Sequence, residues 1–176
     1  RCGFCACHVI ATKQKSVTEP YLDHLLQEIT MVRSHLGNRR QVAQLHLGGG
    51  TPTYLTPAQM RTLLTALQQQ FEWLPHAELA IEVDPRVTTL PHLDVLAEFG
   101  FNRISVGVQD FASDVQKAIN RIQSTESTLQ LIHEARQRTF TGVNVDLIYG
   151  LPYQKEDTFS ETIQQVLTAK PDRLAV

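Results

Sequence analysis

The sequence predicts an α/β fold in which a parallel sheet and its helices form part of a (βα) barrel. After residue 20, short β-branched runs alternate with longer segments of helical period, and neither type forms a block of its own. Glycine and polar residues also follow four successive strands. Barrels build their sites from several strand ends at once, whereas a doubly wound sheet binds ligands mainly at one switch point. The pattern therefore favours the barrel.

Five short apolar runs, rich in valine and isoleucine, are predicted to be strands. They are residues 42–47, 79–83, 103–108, 143–148 and 173–176.

Five segments show apolar residues at helical spacing. The second begins with a capping box formed by Thr56 and Gln59, with Pro57 between them, and the third ends at Gly100. We interpret the apolar stripes as surfaces that face the core. Their members are Leu22, Leu25, Leu26, Ile29 and Leu36; Met60, Leu63, Leu64 and Leu67; residues 93–99; Leu129, Ile132 and Ala135; and Phe159, Ile163, Val166 and Leu167.

Length and charge limit the possible partners. The 176 residues suffice for one domain, and we assign residues 1–176 to a single unit. A net charge of −2 lacks the basic surface typical of nucleic-acid binding, and no apolar run reaches membrane-spanning length. We expect neither partner, and we expect a monomer. Because the chain begins at Arg1, directly before a cysteine, and ends within an apolar run, we expect truncation at both ends.

All three cysteines lie within the first seven residues, at Cys2, Cys5 and Cys7. This clustering predicts a metal or redox site in a reducing compartment, and we expect the cytoplasm. Zinc is one interpretation, with His8 as a fourth ligand. An iron–sulfur cluster and inert thiols are the others. The tight spacing favours the cluster.

Candidate binding residues follow the predicted strands. Thr51 belongs to a glycine-rich turn after the first strand, while Glu82, Gln109 and Asp146 lie at the ends of the next three. The glycines also fit a plain tight turn, Glu82 fits a solvated strand end, and Arg121 by itself resembles a surface arginine. We expect one histidine, His46, in the core and five on the surface: His24, His35, His76, His92 and His133.

The segment C-G-F-C at residues 2–5 resembles the end of the C-x₃-C-x₂-C signature of radical S-adenosylmethionine (SAM) enzymes. Cys7 extends it to the C-x₂-C-x-C form of the oxygen-independent coproporphyrinogen III dehydrogenases. Four further segments resemble motifs of that family, so the resemblance runs from end to end. They are Q-L-H-L-G-G-G-T-P-T-Y-L at 44–55, E-V-D-P-R at 82–86, G-V-Q-D-F at 107–111 and D-L-I-Y-G-L-P at 146–152.

The resemblance implies a partial barrel of the radical SAM type that binds a [4Fe–4S] cluster and two SAM molecules. Cys2 and Cys5 are implied cluster ligands, and a first cysteine is expected four positions before Cys2, outside this chain. Cys7 is implied to lie near the site without being a necessary ligand. Ile122 departs from the family's N-R-E-Q segment. The residues assigned to cofactor binding are Phe4, Cys7, Gly49, Gly50, Thr51, Glu82, Gln109, Arg121 and Asp146.

The implied reaction is the oxidative decarboxylation of two propionate groups of coproporphyrinogen III to vinyl groups, giving protoporphyrinogen IX. An unactivated β-hydrogen must be removed, which is chemistry for a cofactor rather than for a side chain, so no catalytic side chain is assigned. A reduced flavodoxin- or ferredoxin-type protein is the expected electron donor. A first strand and a C-terminal domain are expected outside this chain. A haem-chaperone-like paralogue and a non-catalytic iron–sulfur or zinc module are the alternatives.

Overall fold

The computed structural model describes residues 2–6, 12 and 14–176, which form one parallel sheet with helices. Five strands pair in their sequence order, from β1 to β5, and every pairing is parallel. A doubly wound sheet reverses its strand order at a switch point. This sheet has no such reversal within the described residues, so its order is that of a barrel segment, and the prediction of an α/β partial barrel is confirmed. The strands are β1 (Gln41–Leu47), β2 (Glu72–Val83), β3 (Arg103–Gln109), β4 (Gly142–Leu147) and β5 (Arg173–Ala175).

The predicted start of β2 at residue 79 was wrong, because the strand begins at Glu72. Its first residues pair with the beginning of β1, where Gln41 lies opposite Glu72 and Val42 opposite Trp73. The register then shifts between Val42 and Gln44. A polar stretch with a proline in the first half of β2 interrupts the apolar pattern from which the start of the strand was predicted. The pairing partner, which lies some thirty residues earlier, extends this strand despite its composition.

Six helices and two short 3₁₀ turns connect the strands in the described part of the chain. The capping box of Thr56 and Gln59 is present at the second helix, and Gly100 ends the third helix region with a φ of 82°. The six-residue helix α4 was not predicted, since Val115 is its one buried apolar residue and packs in a small cluster with Ile119 and Leu151. The helices are α1 (Thr18–His35), α2 (Pro57–Gln70), α3 (Leu90–Glu98), α4 (Ser113–Ala118), α5 (Thr125–Arg136) and α6 (Glu156–Thr168), and the 3₁₀ turns are Lys15–Val17 and Pro52–Tyr54.

The main core lies between the sheet and the helices that cover it. Ile81, Ile104 and Val145 are fully buried on neighbouring strands, and Leu64 and Leu96 pack above them from α2 and α3. Burial of each such side chain contributes about 1.5–3 kcal/mol, so the register of the strands is firmly held. This register places Glu82 opposite Ser105, Ser105 opposite Asn144, and Gly107 opposite Asp146. In the described residues, none of the helices combines the length and apolarity needed to cross a bilayer.

Two histidine predictions were wrong. His92 is buried, and its Nδ1 accepts a hydrogen bond from the Thr89 backbone at 3.1 Å while its Nε2 lies 2.9 Å from the Leu55 carbonyl oxygen. Nε2 therefore carries the proton, and burial lowers the pKa of this imidazole. His46 is exposed instead, because it lies at the end of edge strand β1. The other four predicted surface histidines are exposed.

Candidate active site

A cavity of about 620 Å³ lies at the carboxyl ends of the strands and is lined by nine of the predicted site residues. Gly49 lies next to this lining, and Cys7 lies outside the described residues. The prediction that these positions converge at the strand ends agrees with the geometry, while their roles as ligands to a cofactor remain predictions. The nine are Cys2, Phe4, Cys5, Gly50, Thr51, Glu82, Gln109, Arg121 and Asp146.

The cysteine segment, residues 2–5, forms one wall of the cavity, which we call the sulfur wall. Cys2 and Cys5 are half-buried, and the Cys5 backbone donates to the Cys2 carbonyl at 3.3 Å. Gly3 donates to the Ile119 carbonyl at 2.7 Å and so attaches the segment to the end of α4. Farther along, the Tyr54 hydroxyl donates to the Thr12 carbonyl at 3.0 Å. The cysteine segment is thus attached to the end of α4, and the later Thr12 to the 3₁₀ turn that ends at Tyr54.

Behind this wall, one buried carboxylate holds two arginines. Asp84 Oδ2 accepts from Arg86 Nη2 at 2.6 Å and from Arg121 Nη1 at 3.0 Å. The same two nitrogens each lie 3.5 Å from Cys2 Sγ. Burial opposes ionisation of Asp84, but the hydrogen bonds from Arg86 and the charge of Arg121 outweigh it and lower the pKa of this carboxyl. Cys2 Sγ therefore faces two guanidinium groups.

Arg121 is not a surface arginine, because only 6% of it is exposed. It follows Asn120, which takes a φ of 54° after α4, and its Nη2 donates to the Gly107 carbonyl at 2.6 Å. A Cβ at Gly107 would lie 3.0 Å from Arg121 Nη2 and 2.9 Å from Gln109 Nε2, so glycine is needed for this close approach. Arg121 Nε is buried and has no hydrogen-bond partner among the described residues. It is a donor available to a bound ligand.

A second wall of the cavity, which we call the acidic wall, contains the carboxylates of Glu82 and Asp146. Glu82 Oε1 lies 3.2 Å from His46 Nε2, and Glu82 Oε2 accepts from the Gly49 backbone at 3.1 Å. Gly49 and Gly50 have φ values of 81° and 55°, a region that side chains disfavour. The glycine turn therefore does more than reverse the chain, because it directs a backbone N–H at a carboxylate of the next strand.

Asp146 completes the acidic wall with partners that sequence reasoning missed. Both of its carboxylate oxygens accept from the Ser105 hydroxyl, at 3.0 and 2.9 Å, and Oδ1 also accepts from Asn144 Nδ2 at 2.6 Å. Burial raises the pKa of Asp146, and the nearby charge of Glu82 acts in the same direction. Polar residues or glycines at every second position of β3 and β4, in otherwise apolar strands, were the available signal.

Gln109 ends β3 in a left-handed conformation, with a φ of 69°, where the register with β4 shifts. Such a conformation costs about 1–3 kcal/mol in a residue other than glycine and needs support from its surroundings. The next residue, Asp110, is fully buried and accepts from the Ala112 backbone at 2.6 Å, from Thr162 Oγ1 at 3.1 Å and from Gln154 Nε2 at 2.5 Å. Asp110 therefore anchors the turn that presents Gln109 to the cavity.

The donor set fits an iron–sulfur cluster with a bound SAM. Cys2 and Cys5 offer soft sulfur ligands, which iron–sulfur clusters require. Arg121 Nε offers an unused donor, and the acidic wall can accept from ammonium and hydroxyl groups. Within the described ranges, no group of three histidine, cysteine or acidic residues is placed to hold a metal ion by itself. The zinc interpretation depends on Cys7 and His8, which lie outside those ranges.

Comparison with known families settles the class of the site. The sequence model of the radical SAM superfamily matches residues 1–166 of this chain. The chain belongs to the radical SAM superfamily. Members of this superfamily combine a [4Fe–4S] cluster with SAM, which agrees with the sulfur wall and the acidic wall of the cavity. The corresponding cofactor prediction is confirmed at this level.

Curated relatives are similar along nearly the whole chain. The chain is 44% identical over 177 residues to the oxygen-independent coproporphyrinogen III oxidase of Pseudomonas aeruginosa, and 49% identical over 175 residues to that of Salmonella typhimurium. Each alignment covers 99% of this chain but 38% of the relative. The chain therefore spans about two fifths of the length of these relatives.

Solved structures show the same likeness. The coproporphyrinogen III oxidase of Escherichia coli, described as a radical SAM enzyme, superimposes with a TM-score of 0.94 at 47% identity, covering 98% of this chain and 40% of that one. A radical SAM methyltransferase from Kitasatospora setae, solved with cobalamin and a [4Fe–4S] cluster, gives a TM-score of 0.66 at 14% identity, covering 87% and 30%. The second likeness shows the fold alone.

Proposed function

We propose that this chain is the cluster- and SAM-binding core of an enzyme that oxidatively decarboxylates two propionate groups of coproporphyrinogen III, giving protoporphyrinogen IX. The observation that carries the proposal is the difference between the two structural likenesses. The coproporphyrinogen III oxidase of Escherichia coli matches at 47% identity and a TM-score of 0.94, whereas the methyltransferase matches at 14% and 0.66. We also propose that a first strand, a cluster cysteine four positions before Cys2 and a C-terminal domain complete the core in the whole protein.

In this proposal, Cys2 and Cys5 hold the cluster together with that upstream cysteine, and Phe4 covers it from the intervening turn. Glu82, Gln109 and Asp146 hold SAM, which the family resemblance puts at two molecules. Cys7 lies near the site without serving as a necessary cluster ligand. When bound, the cluster and SAM supply a carbon radical that abstracts a hydrogen atom.

The protein's own contribution is placement. The backbone around Gly49, Gly50 and Thr51 allows close approach to a ligand, because positive φ values and missing side chains open that side of the cavity. Arg121 donates through Nη1 and Nη2 to protein acceptors and keeps Nε for the ligand. The apolar walls around Val83 and Val87 limit water near the reacting carbon.

The proposed reaction needs an electron donor and an electron acceptor. Each propionate loses one β-hydrogen atom, and the remaining substrate radical loses CO₂ and one electron to become a vinyl group. The first step needs an external one-electron donor, for which we propose a reduced flavodoxin- or ferredoxin-type protein, and the last needs an electron acceptor. The clustered cysteines support a reducing compartment, and we propose that the protein acts in the cytoplasm as a monomer, without nucleic acid or membrane.

The decisive experiment uses full-length protein reconstituted anaerobically with iron and sulfide. We expect a [4Fe–4S] signal, and, with dithionite, SAM and coproporphyrinogen III, the formation of 5′-deoxyadenosine, CO₂ and protoporphyrinogen IX. Cys5→Ser should abolish both the signal and turnover. Arg136→Gln, at the opposite end of the sheet, should change neither and serves as the control.

Two results would overturn the proposal. Binding of one zinc ion with SAM left intact would make the cysteine segment a structural metal site. Cleavage of SAM with tight haem binding and no decarboxylation would replace the proposed enzyme with the haem-chaperone-like alternative.

A further inference from the structure

Arg86 lies at the sulfur wall of the cavity and has no part in the SAM contacts proposed above. It follows Pro85 at the end of β2 and folds back onto Asp84. Its backbone N–H and its Nε each donate to Asp84 Oδ1 at 3.0 Å, and its Nη2 donates to Oδ2 at 2.6 Å. A guanidinium held by two nitrogens of one edge in this way has one orientation.

That orientation aims Arg86 at the cysteine segment. Nη2 lies 3.5 Å from Cys2 Sγ, within reach of an N–H···S hydrogen bond across 84 positions of sequence. The side chain is 30% exposed, while that of Asp84 is 11% exposed, so the pair is shielded on the carboxylate side. Among the described residues, the hydrogen bonds of the Arg86 side chain go to Asp84 and Cys2.

Arg121 reaches the same sulfur but serves several partners. Its Nη1 is shared between Asp84 and Cys2, its Nη2 binds Gly107, and its buried Nε has no partner among the described residues. Changing Arg121 would therefore disturb SAM binding and folding together. Arg86 offers the cleaner way to vary the charge next to the sulfur.

We propose that Arg86 is a positioning residue that raises the reduction potential of the iron–sulfur cluster by donating a charge-assisted hydrogen bond to the sulfur of Cys2. This inference rests on the proposed cluster at Cys2 and Cys5. Reduction adds one electron, taken from the external donor, to a cluster that thiolates make anionic. A fixed positive charge and an N–H donor at a ligand sulfur stabilise the added charge, and both are known levers on cluster potential. Asp84 orients Arg86, and Arg86 keeps its proton throughout.

The test is a potentiometric titration of the reconstituted full-length protein, followed by electron paramagnetic resonance of the reduced cluster without SAM. For Arg86→Gln we expect the ratio of reduced to oxidised cluster at a fixed electrode potential to fall about tenfold, which corresponds to a midpoint about 59 mV lower for a one-electron couple. Arg86→Lys keeps the charge but loses the bidentate hold on Asp84, and should fall between Arg86→Gln and wild type.

Arg136→Gln is the matched control, because the Arg136 side chain is 28% exposed, pairs with Asp172 and lies away from the cavity. Its midpoint should equal that of wild type. An Arg86→Gln protein with full cluster content and an unchanged midpoint would overturn the proposal. If Arg86→Gln does not fold, Arg86→Lys carries the test, and a wild-type midpoint there would overturn it equally.

Failure of this inference differs from failure of the proposed function. A wild-type protein that holds no cluster contradicts the proposed function and removes the basis of the inference. A cluster whose potential depends on Arg86, in a protein that leaves coproporphyrinogen III unchanged, contradicts the proposed substrate while supporting the role of Arg86.

Discussion

Two aspartates at the carboxyl ends of β2 and β4 face the same cavity but have opposite electrostatic surroundings. Asp84 binds two arginines, and its pKa is lowered even though burial acts against ionisation. Asp146 binds the neutral donors Ser105 and Asn144, and its pKa is raised, chiefly by burial. The sulfur wall sets two guanidinium groups against one carboxylate and so keeps a net positive charge beside Cys2. On the acidic wall, Glu82 and Asp146 form no ion pair with an arginine or lysine among the described residues, which suits this wall to a ligand with positive charge.

Loss of the charge on Asp84 has the largest expected effect on stability. Asp84→Asn leaves Arg86 and the buried Arg121 without their shared anion, and we expect it to lower the free energy of unfolding by about 3–5 kcal/mol. Urea unfolding at neutral pH measures this. Asp114→Asn, which removes the exposed partner of Lys117, should change it by about 0–1 kcal/mol. A similar small change in both variants would contradict the idea that Asp84 stabilises two arginines in a buried sulfur wall.

The two walls also differ in how far they can yield to an added methyl group. A Cβ at Gly107 would press on Gln109 and on the buried Arg121, and we expect Gly107→Ala to cost about 1–3 kcal/mol. A Cβ at Gly48 would lie 2.7 Å from His46 Nε2, but that side chain is exposed and can rotate away. Gly48→Ala should therefore cost less. Thermal unfolding of both variants provides the measurement, and the reverse order would contradict the rigid placement of Arg121.

The two aspartates should also differ in the pH dependence of their contributions to stability. Because the folded pKa of Asp84 is lowered, its stabilisation is present above the unfolded pKa and is lost as pH falls through the folded value. The pKa of Asp146 is raised, so its contribution is present below the unfolded pKa and is lost as pH rises through the folded value.

Asp146→Asn should consequently be about as stable as wild type in acid and gain on it as pH rises toward neutral. Asp84→Asn should approach wild type only in acid. Urea unfolding of wild type and both variants between acid and neutral pH records the two profiles. Parallel profiles for the two variants would show that the walls do not differ in this way.

The architecture and the outline of the site followed from the sequence itself. Alternation of β-branched and helical segments depends on backbone geometry and local burial, so it predicted all five strands and five of the six helices. Parallel strands bring their carboxyl ends to one edge. For this reason, residues as far apart as Gly50, Glu82, Gln109 and Asp146 were rightly expected around one cavity.

Only the tertiary structure decided which side chains meet. The short helix α4, the early start of β2 and the exchanged environments of His46 and His92 depend on neighbours that are remote in sequence. Ser105 and Asn144 became partners of Asp146 through the register of two strands. The contact between Arg86 and Cys2 forms because a carboxylate two residues away fixes the guanidinium, and because the sheet brings both chain segments to one edge. Local periodicity carries the order of elements, whereas charge balance at a buried site depends on distances between elements, which only the folded chain establishes.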